Sequence, residues 1–118
     1  MLLSKEQILS AEDLKSEIVE VPEWGGSVKV RMMTGTERDA FETSIFEVKG
    51  KDTERNFVDL RAKLVARTLI DENGERLFTD KDIALLGKKS AKALDRVFQV
   101  AQQLNGIGKE AVEELTKN

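Results

Sequence analysis

The apolar residues of this chain change their period near Thr34, and that change decides most of what the chain can fold into. Before it, Ile18, Val19 and Val21 lead into Pro22-Glu23-Trp24-Gly25-Gly26. Val28, Val30 and Met32 then alternate with Ser27, Lys29, Arg31 and Met33, the two-residue repeat of half-buried strands. Pro22 has no N–H to give a ladder and belongs at a strand end, while the adjacent glycines supply the positive φ of a tight hairpin turn. Beyond Thr34 the spacing becomes helical. Thr34-Gly35-Thr36-Glu37 has capping-box order, and Ala40, Phe41, Ser44, Ile45 and Val48 fall on one face of a helix predicted from Thr36 to about Val48.

The rest of the chain reads mainly as helix. Ser4 with Gln7 three residues on repeats the capping spacing, which predicts a helical turn too short to stand alone. Lys49 to Thr53 contains no large apolar group and is predicted to be a loop. A longer helix is expected from Thr53 or Glu54, because Phe57, Leu60, Leu64, Val65, Thr68 and Leu69 form the strongest apolar stripe in the sequence. Asp71-Glu72-Asn73-Gly74 suits a left-handed turn. Thr79-Asp80-Lys81-Asp82 caps a short helix bearing Ile83, Leu85 and Leu86, with Gly87 as its stop. A last helix from Ser90 carries Ala91, Leu94, Val97, Phe98, Ala101 and Leu104 and closes at Asn105-Gly106. The fold class is therefore α+β, mainly α, with an N-terminal β-hairpin followed by about four packed helices. One domain over 1–118 is expected, with a mobile tail over 107–118 that orders, if at all, on a partner.

Composition restricts the chemistry. At 118 residues the chain supports one core, and it contains neither cysteine nor histidine. Disulfides, thiolate nucleophiles, Cys/His zinc sites and imidazole acid/base mechanisms are all excluded. Asp80 and Asp82 lack the remaining ligands of a cation loop and are read as helix caps. Gly106 and Gly108 lack the strand and the Gly-Lys-Ser/Thr element of a phosphate loop. No catalytic residue, cofactor or metal is expected. With 19 basic and 22 acidic residues the formal charge is −3, so no broad cationic field attracts nucleic acid. The basic group Lys88, Lys89, Lys92 and Arg96 is read as a solvated helix face, since no interleaved aromatic residues accompany it. No apolar run is long enough for a bilayer and no export signal is visible, so a soluble cytoplasmic protein is expected.

The candidate contact residues are Trp24, Met32, Met33 and Phe46. Tryptophan offers a large contact area, and methionines form an adaptable apolar surface. Phe46 follows Ile45 and so points away from the stripe containing Phe41 and Ile45. Each of the four has an alternative role in a core.

The order Val19-Glu20-Val21-Pro22-Glu23-Trp24-Gly25-Gly26, then Val28-Lys29-Val30-Arg31 and Thr34-Gly35-Thr36-Glu37-Arg38, resembles the tail assembly chaperones of long-tailed bacteriophages and prophages. The likeness continues through Leu64-Val65-Ala66-Arg67, Leu77-Phe78-Thr79, Leu86-Gly87 and Leu104-Asn105-Gly106. It implies a non-catalytic chaperone, made in the bacterial host cytoplasm, that coats the tape measure protein and recruits major tail tube subunits. It further implies self-association as a homo-oligomer, absence from the mature virion, and a frameshifted longer form, for which Lys117-Asn118 is a suitable coding position. The rival expectation is a permanent virion subunit, a head-to-tail connector or tail terminator, using the same apolar residues in ring interfaces.

Overall fold

The structure is a computed structural model that describes residues 1–49, 52–55 and 59–107. The side chains of 46–49 and 52–55 are outside that description. The elements run α1 (Lys5–Ser10), β1 (Ser16–Val21), β2 (Gly26–Arg31), α2 (Gly35–Ser44), β3 (Phe46–Lys49), β4 (Asp52–Arg55), α3 (Leu60–Thr68), β5 (Leu69–Ile70), α4 (Ile83–Leu86) and α5 (Ala91–Leu104). Single 3-10 turns cover Pro22–Trp24 and Asp80–Asp82. The expected architecture, an N-terminal hairpin with four helices after it, is present among these residues.

β1 and β2 pair antiparallel with Ser16 opposite Arg31, Val19 opposite Val28 and Val21 opposite Gly26. β5 adds to the free edge of β2 through Lys29–Ile70 and Val30–Leu69. The pairing register sends Val19, Val21 and Val30 inward, whereas Ile18 and Glu20 face out, as strict two-residue alternation requires. α5 lies across the inner face of this sheet and also packs on α3. Ala93, Leu94, Val97, Phe98 and Ala101 of α5 join Leu64, Val65 and Ala66 of α3 and the three valines in one core. Ile107, just past α5, is buried there too. It is the one described residue of the segment 107–118.

α2 and the end of α5 are tied to the hairpin by a hydrogen-bonded node. Thr34 Oγ1 accepts from Glu37 N at 3.1 Å, and Glu37 Oε1 accepts from Thr34 N at 2.8 Å. Arg31 Nη2 donates to the same Glu37 carboxylate at 3.2 Å. Arg38 Nη1 reaches the Asn105 carbonyl at 2.8 Å, and Asn105 Oδ1 accepts from Met33 N at 2.7 Å. Each donor is matched on the spot, so the chain leaves β2 in one direction.

Three expectations need correction. The helix begun at Thr34 ends at Ser44, not Val48, and residues 46–49 pair as a strand with 52–55. Ser44 Oγ donates to the Phe41 carbonyl at 2.6 Å, and the Ile45 N–H turns instead to Glu42 at 3.1 Å. A side chain has taken the acceptor that continued helix needs, and the last turn tightens and stops. Of the expected loop 49–53, Lys49 ends β3 and Asp52 and Thr53 begin β4. The long helix begins at Leu60 and not at Thr53 or Glu54, which lie in β4. Its N-cap, Asp59, sits at φ 60°, a left-handed conformation that breaks continuity with anything helical before it. Phe57, counted in the stripe, lies outside the described residues.

Candidate interaction surface

Trp24 owes its position to the connection between β1 and β2. Pro22 occupies the first place of the 3-10 turn, where its missing N–H costs nothing. Gly25 closes the turn at φ 76°, its N–H donating to the Pro22 carbonyl at 3.0 Å. Of the adjacent glycines only Gly25 uses the left-handed region. The turn lays Trp24 half-buried against the core.

Beside it opens a cleft of about 350 Å³ lined by Glu23, Trp24, Phe78, Leu86 and Lys89. Leu86 is delivered by α4. Its entry is fixed by the Asp82 carboxylate, which accepts from Thr79 N at 2.8 Å. Glu23 is already engaged, its two carboxylate oxygens accepting from Arg96 Nε at 2.8 and 3.0 Å. That hydrogen bond holds the Glu23 carboxyl below the usual carboxylate range, with the charges of Arg96 and Lys92 adding to it. The cleft therefore presents two aromatic faces and an aliphatic side chain, with one lysine at its rim. Among the described residues no three acidic side chains group to hold a metal. What such a surface can do is seat apolar side chains of another polypeptide.

Three of the four candidate contact residues have described side chains, and these three lie in different places. Trp24 is at the hairpin turn. Met32 follows the opposite end of β2, so the two stand about 20 Å apart along a six-residue strand. Met32 is half-buried, with its Sδ 3.3 Å from Lys15 N. Met33 is 6% exposed, inside the core that holds Phe41 and Ile45. In this structure its side chain packs and presents nothing outward. Phe46 is the first residue of β3, and its side chain is outside the described residues. Phe78, Leu86 and Lys89 are not among the contact residues expected from the sequence. Their signal was the density of apolar residues around Leu77-Phe78 and Leu85-Leu86 in segments too short to bury all of them.

Two further surfaces complete the picture. In the basic group of α5 and its approach, Arg96 is paired with Glu23, and the neighbouring Asp95 accepts from Arg61 at 3.0 Å. Acidic residues interrupt the cationic face, as its reading as a solvated surface implies. At the other end of the chain, residues 1–18 are exposed throughout, Leu2, Leu3, Ile8, Leu9, Leu14 and Ile18 among them. No described helix is long and apolar enough to cross a membrane.

A family model described as phage tail assembly chaperone matches residues 5–118. Among solved structures the chain is similar to one titled "Structure of bacteriophage HK97 tail assembly chaperone", with a TM-score of 0.57 and 18% identity. The match covers 84% of this chain and 94% of that one; at that identity it speaks for the fold. A search of curated proteins finds no match.

Proposed function

This chain belongs to the phage tail assembly chaperone family, and from that premise we propose that it covers the tape measure protein during tail assembly and recruits major tail tube subunits to it. The observation that carries the reading is a family match running through nearly the whole chain, 5–118. The open cleft at Trp24 supports it, because its aromatic and aliphatic lining can seat apolar side chains. A tape measure is long and helical, and its apolar stripes associate wrongly unless covered until the tube encloses them. Coverage has to be reversible, which calls for modest affinity per site and many copies of the chaperone acting together. No bond is made or broken in this role. It is carried out in the host cytoplasm, and the protein leaves before the virion is complete. A frameshifted longer form of the chain is a further partner in this reading.

The test is co-expression with the tape measure and tube proteins of the same tail gene cluster, followed by capture and sizing of the complexes. The expected result is a soluble complex with the tape measure protein that is absent from purified particles. Trp24→Ala is expected to lose capture at least tenfold while keeping a cooperative melt. Recovery of the chain in stoichiometric amounts from mature virions would instead establish a permanent subunit.

A further inference from the structure

The acidic and basic side chains around the cleft at Trp24 are unequally used. Glu23 stands on the turn, Asp80 and Asp82 ahead of α4, and Asp95 on α5. All of these acids are engaged. Glu23 accepts from Arg96 at 2.8 Å, Asp95 from Arg61 at 3.0 Å, and Asp82 from the Thr79 N–H at 2.8 Å. Asp80 takes Arg67 at 3.0 Å on one oxygen and Arg76 at 3.4 Å on the other. Lysines are left over. Lys88, Lys89 and Lys92 are exposed and, among the described residues, make no ion pair. Lys89 lines the cleft, and Lys92 stands close enough to Glu23 for its charge to act there. On a chain of formal charge −3, uncompensated cations therefore gather beside two aromatic rings and Leu86. We infer that the cleft takes an amphipathic segment of a partner polypeptide, its apolar side chains seated among Trp24, Phe78 and Leu86 and its carboxylates meeting Lys89 and Lys92.

The inference rests on the chaperone reading for its context and adds the partner's chemistry to it: the site selects apolar segments bordered by acids, not apolar segments in general. Each half of that description has its own support. The cleft volume of about 350 Å³ is at the low end of ligand sites, about 300–1,000 Å³, so it holds a few side chains of one short segment. Trp24 and Phe78 are half-buried and keep part of their surface open to receive them. The charge sets what lies alongside. A cation brought to this rim is repelled, and a neutral neighbour leaves Lys89 partly desolvated without a partner. Lysine ammoniums on flexible stems follow a carboxylate over several positions while their methylenes cover apolar surface. Recognition of that kind fixes the sign of the neighbouring charge without demanding one sequence, as coverage of many successive stretches of one partner requires. Single-stranded nucleic acid also joins negative charge to flat apolar groups, but the net negative charge of the chain works against it.

Trp24 is the only tryptophan, so its fluorescence reports on the cleft directly. The full chain is titrated with synthetic helical peptides: one with leucines on one face bordered by glutamates, one with lysines in place of the glutamates, and one with alanines in place of the leucines. The first is expected to shift Trp24 emission and to saturate, with the other two about tenfold weaker or worse. Added salt weakens the first. Lys89→Glu with Lys92→Glu, at exposed positions, is expected to keep the wild-type melt and to reverse the order of the glutamate and lysine peptides.

Equal binding of those two peptides overturns the inference, as does an unchanged order in the double variant. An alanine peptide that binds as well as the leucine one reduces the site to a plain anion patch and overturns it too. So does oligothymidylate outcompeting the leucine–glutamate peptide, or a peptide signal that fades as the chain itself is concentrated, which puts another copy in the cleft. If no peptide binds, the inference falls while co-expression still decides capture of the tape measure protein. If capture fails and the peptides bind as expected, the tape measure reading falls and the chemistry of the cleft stands.

Discussion

α1 and α2 begin with the same device and end up in opposite situations. Each has a hydroxyl cap and a Gln or Glu three residues later, and in each both reciprocal hydrogen bonds are made. α2 then buries Phe41 at 2% exposure and hands Arg38 to Asn105, 67 positions away in sequence. α1 buries nothing. Capping settles where a helix starts, but whether the helix belongs to the body depends on what its apolar residues meet. The largest expected effects follow directly. Phe41→Ala should cost about 3–5 kcal/mol in a urea titration, since it empties a packed site. Leu9→Ala should shift the monomer's stability by no more than about 0.5 kcal/mol. Equal losses from the two would mean that α1 is docked on its own body.

The caps themselves sharpen the contrast at smaller scale. Thr34→Ala removes a hydroxyl acceptor in a helix that the fold depends on, and about 1 kcal/mol of global stability should go with it. Ser4→Ala deletes equivalent chemistry from a helix outside the cooperative unit. It should leave the unfolding midpoint in place and speed amide exchange only within residues 5–10. An identical drop in midpoint for both variants would erase the distinction.

How far this division could be read beforehand depended on the range of the interactions involved. The hairpin, its turn at Pro22–Gly25, the caps at Ser4 and Thr34, and the stop at Asn105-Gly106 were legible because neighbours within four residues determine them. The break after Ser44 was not. Ile45 and Val48 suit a helical stripe as well as a strand, and the deciding event is a Ser44 hydroxyl taking the Phe41 carbonyl. Met33 and Trp24 looked equivalent as contact residues; the burial of one and the half-exposure of the other follow from how α5 crosses the sheet, a long-range outcome. Two motifs read separately, Thr-Gly-x-Glu-Arg and Leu-Asn-Gly, prove to be halves of one node through Arg38 and Asn105. Phe78 and Leu86 joined Trp24 only in three dimensions.

On the docked side of the molecule the bond from Arg96 to Glu23 pins the hairpin turn to α5, and among the described residues no ion pair holds the N-terminal arm. Because that bond lowers the Glu23 pKa from its ordinary value of 4.5, the pair contributes stability while the carboxyl is ionised in both folded and unfolded chains. The contribution is fully present above the unfolded pKa and is lost as pH falls through the lower folded one. Both side chains keep some solvent contact, so the effect is small. Carboxyl NMR titration should find Glu23 of the wild type titrating below 4.5, and Arg96→Gln should bring it back up towards that value. The same variant should slightly lower the neutral plateau of a thermal-melt pH series and flatten its acid limb. If Glu23 titrates normally in the wild type, the turn is not tethered there, and the rim of the cleft is free to move with Trp24.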